Sequence, residues 1–242
     1  MSEGKLYDVI YADPAWRYDF SKSDSRQIEN QYPTMTVEEI CALEIPAKPN
    51  AVLYMWATAP KLLEAIKVIS AWGFEYKTQA VWDKQTMGMG YWFRGQHEIL
   101  MVAVRGKFSP PEQPLRISSV IREKRGKHSK KPIYVRDMIA KWYPNADRLE
   151  MFARTSGENW DVWGNQVENS IAIKSAVGDF SKVFPQGTTI EAQNQALQKA
   201  DVMCSCVECG RKMDEMEHNY GTDEMLCCIQ CYNEAQGGSN YT

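Results

Sequence analysis

The sequence has no apolar run near the ~20 residues that a membrane helix needs; its longest extends only from Ala51 to Ala57. The amino-terminal Met1-Ser2-Glu3-Gly4-Lys5 carries no apolar leader and passes directly into a strand-like segment, so a soluble, cytoplasmic protein is expected. Cysteine is nearly missing from most of the chain. Cys41 stands alone before residue 204, and the rest of the 7 fall between Cys204 and Cys231. A disulfide framework would spread its bridges through the fold, whereas such clustering points to metal ligation in a reducing compartment. An excess of positive charge is also missing. With 28 Lys and Arg against 31 Asp and Glu, a uniformly basic nucleic-acid coat is excluded, and any such contact must come from a local patch. What the chain does have is 44% apolar and 11% aromatic residues, enough for a real core, and a length that fits one ordinary domain plus a small appendage. Internal repeats are absent.

Tyr7 to Ala12 reads as a buried strand running straight into Asp13-Pro14-Ala15-Trp16. Residues 17–35 are polar and read as a mobile loop. Thr36 and Glu39 form the T-x-x-E capping box of a short helix through Leu43. A second strand follows at Ala51–Ala57. Pro60, apolar positions 62, 63, 66 and 69, and Gly73 past the end mark a helix. Strands are expected at Phe74–Trp82, Glu98–Val104 and Leu149–Arg154, and a helix from Pro132 to Trp142. The segment from Gly106 to Lys131 is rich in Pro, Lys, Arg and Ser and interrupts the alternation. Alternating strands and helices imply an α/β domain around a mostly parallel sheet, whose ligands bind at the carboxyl ends of the strands. Asp13 and Arg154 would both sit on that rim. The domain is expected over residues 1–167, followed by a linker with a helix over 168–203 and a small module over 204–242.

The Asp-Pro segment suggests chemistry on an amine. Adenine's exocyclic nitrogen is a poor nucleophile because its lone pair is delocalised into the ring, so methylating it calls for acceptors aimed at its N–H bonds. The Asp13 carboxylate and the Pro14 carbonyl are such acceptors, and proline's fixed φ makes the loop rigid. Trp16 suits stacking on an extruded or single-stranded base. Asp-Pro is also an ordinary turn opener, and Trp16 equally suits a cover over the core edge. Trp56, Trp72 and Trp82 read as core, and Cys41 as a small buried residue.

Asp13-Pro14-Ala15-Trp16 resembles the DPPW motif of the family that contains the catalytic subunit of the eukaryotic mRNA N6-adenosine methyltransferase and its bacterial and phage relatives. Tyr32-Pro33-Thr34-Met35-Thr36 is similar to the loop after that motif, where a tyrosine gates the pocket. Gly90-Tyr91-Trp92-Phe93-Arg94 with His97-Glu98, His128-Ser129 with Lys131-Pro132, Glu150-Met151-Phe152-Ala153-Arg154, and Trp163-Gly164-Asn165-Gln166 resemble its later blocks in order and spacing. The resemblance covers about residues 6–167. It implies a Rossmann-like, class I methyltransferase fold, circularly permuted so that the catalytic motif precedes the cofactor-binding strand, and S-adenosylmethionine as cofactor. It further implies that Asp13 and Pro14 face the amine and the donor's methionine moiety, and that Lys131 pairs the donor carboxylate. Arg154, oriented by Glu150, would hold the donor's ribose and adenine together with Asn165 and Gln166. Ala15 departs from the motif's second proline but leaves both acceptors in place, and Thr155-Ser156-Gly157 departs from the family pattern after the arginine.

Between Arg122 and Lys131 basic residues dominate, with Glu123 the single acid. Such a run is often a plain solvated loop; on the target side of this family it suits phosphate contact by Arg122, Lys124, Arg125 and Lys127, with Arg94 and Tyr32 as further substrate residues. Cys206-x2-Cys209 and Cys228-x2-Cys231 have the spacing of a closed, four-thiolate structural zinc site. The acidic balance of that module disfavours phosphate binding and points to a structural or protein-contact role. These observations lead to an adenine-N6 methyltransferase acting on nucleic acid, with DNA as the expected substrate in a bacterial or phage setting. RNA methylation and a catalytically silent partner subunit are the alternatives.

Overall fold

The computed structural model describes residues 4–18, 34–88, 90, 92–126 and 131–176. Their elements are β1 (Tyr7–Ala12), α1 (Val37–Cys41), β2 (Ala47–Ala57), α2 (Leu62–Ala71), β3 (Glu75–Asp83), β4 (His97–Arg105), β5 (Val120–Arg122), α3 (Ile133–Trp142), β6 (Arg148–Met151) and β7 (Asp161–Trp163). The strands form one seven-stranded sheet in the order β5-β3-β4-β2-β1-β6-β7. β1 pairs in parallel with β2 and β6, β6 with β7, and β3 with β5, while β4 is antiparallel to both β2 and β3. β4 therefore runs against the other six strands, and its amino end shares an edge with their carboxyl ends.

Strict alternation along the central strands sends side chains to two cores. Ile10, Ala12, Leu53, Met55, Met101, Leu149 and Met151 pack on one face with Ile40 of α1 and with Ala65, Val68 and Ile69 of α2. Val9, Tyr11, Val52, Tyr54, Trp56, Leu100 and Ile121 pack on the other with Val135 and Ile139 of α3. Both faces of the sheet are thus covered, which explains why Ala51–Ala57, the inner part of β2, reads as an unbroken apolar run.

Most local expectations hold. Thr36 caps α1 with the full capping box: its hydroxyl accepts from the Glu39 N–H and the Glu39 carboxylate accepts from the Thr36 N–H at 2.7 Å. Gly73 closes α2 at φ +76, as its position predicts. Other expectations need correction. The buried stripe of α2 is Ala65, Val68, Ile69 and Trp72, whereas Leu63 is exposed; the apolar count at its amino end misjudged the face. Cys41 is only half-buried. The Gly106–Lys131 segment contains a strand, β5, too short to show periodicity. β6 ends at Met151, and the chain turns through Phe152 at φ +62 before reaching Arg154.

The domain also extends past residue 167. Ser175 bridges Leu43, the Glu44 N–H donates to the Lys174 carbonyl at 2.9 Å, and Ile171 and Ile173 pack against the first core. Residues 168–176 are therefore part of the domain, not the opening of a linker. Among the described residues no helix is long and apolar enough to cross a membrane.

Candidate active site

Asp13 leaves the carboxyl end of β1 and opens a pocket on that rim of the sheet. Pro14, Ala15 and Trp16 follow it on the same wall. β2 contributes Trp56 and Ala57 with Thr58 beyond its end, β6 leads to Phe152 and Arg154, and β7 leads to Asn165 and Gln166. Glu98 comes from the amino end of β4 and reaches the pocket because that strand is reversed. Lys131, immediately before α3, completes it.

The centre of the pocket is charged. The Lys131 ammonium lies 2.7 Å from Asp13 Oδ1, 2.8 Å from Oδ2 and 3.2 Å from Glu98 Oε2. Lys84 approaches the other oxygen of Glu98 at 3.5 Å. Burial opposes the charged form of Lys131, but the Asp13 and Glu98 carboxylates outweigh it and raise its pKa above the usual lysine value. A carboxylate held by an ammonium is an acceptor-only group. The Pro14 carbonyl accepts from the Trp16 N–H at 2.9 Å, which fixes its direction and leaves its second lone pair.

Trp16 sits at the edge of the core, the second of the two positions its sequence context suits. It is 5% exposed, belongs to the first core, bridges Met35 and donates its indole N–H to the Trp56 carbonyl at 3.4 Å. Trp16 therefore belongs both to the pocket wall and to the edge of the core. Tyr18 also lines the pocket; its hydroxyl lies 2.6 Å from the Thr58 hydroxyl and its ring faces the Lys61 ammonium at 5.3 Å.

Glu150 also has a partner that the sequence did not point to. Its carboxylate receives the guanidinium of Arg136, from α3, at 2.8 Å, and Arg136 also donates to the Thr155 carbonyl at 3.4 Å. Burial raises the Glu150 pKa and Arg136 holds it back. The structure thus makes buried Arg136 and half-buried Glu150 a brace beneath the rim. A Cβ on Gly157 would sit 2.8 Å from the Arg136 guanidinium carbon, so glycine lets the turn after Arg154 close over the brace. Gly164 is more constrained: a Cβ there would meet the Ala153 carbonyl oxygen at 2.1 Å. That close approach sets Asn165 and Gln166 beside the turn carrying Arg154.

Arg94, Arg122, Lys124 and Arg125 do not line the pocket; they are exposed farther along the same rim. Tyr32, Lys127 and the four cysteines Cys206, Cys209, Cys228 and Cys231 lie outside the described residues. Among the described residues no group of three or more His, Cys, Asp or Glu could hold a metal. Sequence reasoning missed Glu98 as a pocket residue although His97-Glu98 stood out; its sign was an acidic residue at the mouth of an apolar strand.

A doubly covered α/β sheet with its charged pocket at the strand ends is the arrangement of an enzyme that binds its ligand at the carboxyl rim. The chain belongs to the MT-A70 family, whose model matches residues 7–166. It is 36% identical over 191 residues to the type II methyltransferase M.MunI of a Mycoplasma species, covering 70% of this chain and 82% of that one. It is 26% identical over 200 residues to the N(6)-adenosine-methyltransferase subunit METTL3 of Danio rerio, covering 78% of this chain but 33% of that one. The human N(6)-adenine-specific methyltransferase METTL4 is 27% identical over 183 residues, covering 67% of this chain and 38% of that one. The protein is a methyltransferase of this family.

Proposed function

We propose that the protein transfers the methyl group of S-adenosylmethionine to N6 of adenine in DNA. The observation that carries this reading is the Asp13 carboxylate, at the carboxyl end of β1, ion-paired with Lys131 inside one pocket shared with Arg154, Asn165 and Gln166.

The donor set fits the cofactor. Lys131 is a cation for the donor's carboxylate, Arg154, Asn165 and Gln166 offer hydrogen bonds to its ribose and adenine, and Phe152 gives an apolar surface beside them. When bound, S-adenosylmethionine supplies an electrophilic methyl group on a sulfonium, a leaving group that needs no acid. Asp13 and the Pro14 carbonyl accept hydrogen bonds from the adenine amine, directing its lone pair outward; as the N–C bond forms and the C–S bond breaks, the proton the nitrogen sheds passes to solvent by way of the Asp13 carboxylate. Holding the two reactants in line then does most of the catalytic work. Arg136 and Glu150 act at one remove, by fixing the turn that bears Arg154. In this reading the catalytic strand β1 precedes the cofactor strand β6 in the chain while pairing directly with it, as a circularly permuted class I methyltransferase requires.

DNA is favoured because identity to a type II methyltransferase is higher than to the N(6)-adenosine relatives and runs over most of that protein's length. The likeness to METTL3 supports RNA as the second reading. Incubation with labelled donor and matched DNA and RNA oligonucleotides, followed by nucleoside analysis, decides between them. N6-methyladenine in DNA is expected; label in RNA alone would reverse the assignment, and label in neither would defeat the reading.

We further assign Cys206, Cys209, Cys228 and Cys231 to one structural zinc, supported by the paired C-x2-C spacing. Elemental analysis should find one zinc in the full chain and none after truncation to residues 1–190, with donor affinity unchanged. Zinc retained by the truncated chain would refute the assignment.

A further inference from the structure

The loop between β3 and β4 holds two large aromatic side chains in water. Trp92 is 93% exposed and Phe93 is 89% exposed. The loop around them is cross-tied. The Lys84 N–H donates to the Gln96 carbonyl at 2.9 Å, the Gly88 N–H donates to the Gly95 carbonyl at 2.9 Å, and Arg94 Nε donates to the Gly88 carbonyl at 3.0 Å. Asp83 accepts from the Gln85 N–H at 2.9 Å and from the Gln96 amide at 2.8 Å. A Cβ on Gly90 would lie 2.0 Å from the Phe93 carbonyl oxygen, so glycine allows the tip to fold back behind the rings. A braced loop that gives both rings to solvent spends none of its apolar surface on the protein's own core.

The surroundings of the rings are cationic. The chain after β5 runs beside the loop base, with the Glu123 N–H donating to the Asp83 carbonyl at 3.3 Å and the Arg125 N–H to the Lys84 carbonyl at 3.1 Å. This places exposed Arg122, Lys124 and Arg125 next to the stem, with Arg94 on the loop itself. Against these stand two carboxylates: Asp83, bonded within the loop, and half-buried Glu123. The ledge is continuous with the pocket through Lys84, Glu98, Lys131 and Asp13. β3 lies three strands from β1, or roughly 14 Å at the usual strand spacing. The rings and the pocket thus stand apart, as a base stack and a base rotated out of it must.

We propose that Trp92 and Phe93 form a wedge that enters the base stack of duplex DNA beside the target adenine, with the flanking Arg and Lys side chains on the phosphates. The inference rests on the DNA-methyltransferase reading and deepens it. An adenine in a duplex must leave the stack before its amine can reach a pocket between strand ends, and an apolar ring filling the gap offsets the lost stacking. The four cations favour DNA over a protein partner, which would be met by the same rings without need of a row of phosphate contacts.

The test measures kcat/KM of the full-length protein on one sequence in three forms: intact duplex, duplex with an abasic site opposite the target adenine, and single strand. The Trp92→Ala/Phe93→Ala double variant should lose about tenfold or more on the intact duplex and less than about twofold on the other two, where opening is already done. Trp92→Phe should keep most of the duplex rate. With 2-aminopurine at the target position, the wild type should raise fluorescence on binding duplex and the double variant should not. Equal loss on all three substrates, or none on the duplex, would overturn the wedge. A fall in oligomeric state with an unchanged duplex rate would assign the rings to a protein interface and overturn it likewise. Absence of N6-methyladenine from the wild type on every substrate would defeat the parent reading, a result distinct from a wild type that methylates all three and a variant that matches it.

Discussion

The single strand β1 has a cation–carboxylate cluster at each end, and the two clusters do different things. At its start, Lys48 holds Asp8 at 2.7 Å and Asp147 at 2.8 Å, while Lys5 holds Asp161 at 2.8 Å. Just past its finish, Lys131 holds Asp13 at 2.7 Å and Glu98 at 3.2 Å. Residue types and distances barely differ. Their surroundings differ at the partners, not at the aspartates of the β1 segment (24% exposed for Asp8, 22% for Asp13): side-chain exposure is 35% for Lys48 and 42% for Asp147, against 14% for Lys131 and 11% for Glu98. The first cluster ties the starts of β1, β2 and β6 together in high dielectric, where such pairs contribute little. The second lies in a concave site walled by Trp56, Phe152 and Trp16, where charges interact more strongly and face an open pocket. Concavity and strand direction, not the presence of an ion pair, distinguish a site from a clamp.

The largest contrast should come from removing the aspartate at each end. Asp13→Ala should reduce methyl transfer to adenine by orders of magnitude, because the lost acceptor is needed only as the amine reacts. Asp8→Ala should leave the rate near wild type and lower only the melting temperature. Radiolabel transfer with a parallel thermal melt checks both; a near-normal rate in Asp13→Ala would erase the distinction between the ends.

Arg136 tests whether the pocket end depends on its brace. Arg136→Ala strands the half-buried Glu150 carboxylate and should cost about 3 kcal/mol of unfolding free energy, the low end for breaking a buried pair. Glu150→Gln should cost less, since it keeps an acceptor for the guanidinium. Denaturant unfolding of the two variants gives the comparison, and equal small losses would show that the brace is dispensable.

Donor binding sharpens the same contrast. Alanine at Lys131, Arg154 or Asn165 should weaken S-adenosylmethionine binding, measured by calorimetry, by about 1–3 kcal/mol each. Lys48→Ala, at the opposite edge, should leave it unchanged. Unchanged affinity in all three pocket variants would place the cofactor elsewhere.

The smallest effect is the pH dependence of the clamp. The Lys48 ammonium, bonded to Asp147, holds that carboxyl below the usual aspartate range. For a depressed pKa, the stabilisation is present above the unfolded value of about 3.9 and fades as pH falls through the folded value. Asp147→Asn should therefore lower stability slightly at neutral pH and flatten its acid decline, as read from melts across pH 2–6 (a window set by about those values). A variant as acid-sensitive as wild type would remove Asp147 from the cause.

Much of this molecule is legible in sequence because the relevant physics is local. The Thr36–Glu39 capping box, Gly73 at the end of α2, the apolar run Ala51–Ala57 within β2 and the Asp13-Pro14 turn at the end of β1 each depend on residues within a few positions of one another. The blocks matching the MT-A70 family also gave Lys131, Arg154, Asn165 and Gln166 as a group, and the structure brings all four to one pocket. Tertiary structure alone decided the rest. Lys131 meets Asp13 across 118 residues, and Glu98 joins them only because β4 runs opposite to its neighbours and brings its amino end to the carboxyl rim. Trp16 became wall when Met35 and Trp56 closed over it. Arg136 of α3 meets Glu150 of β6, and residues 168–176 join the domain through contacts with residues 42–44. Pairings of this kind follow from strand order and direction, and those are set by how the two faces of the sheet are buried, not by any local sequence preference.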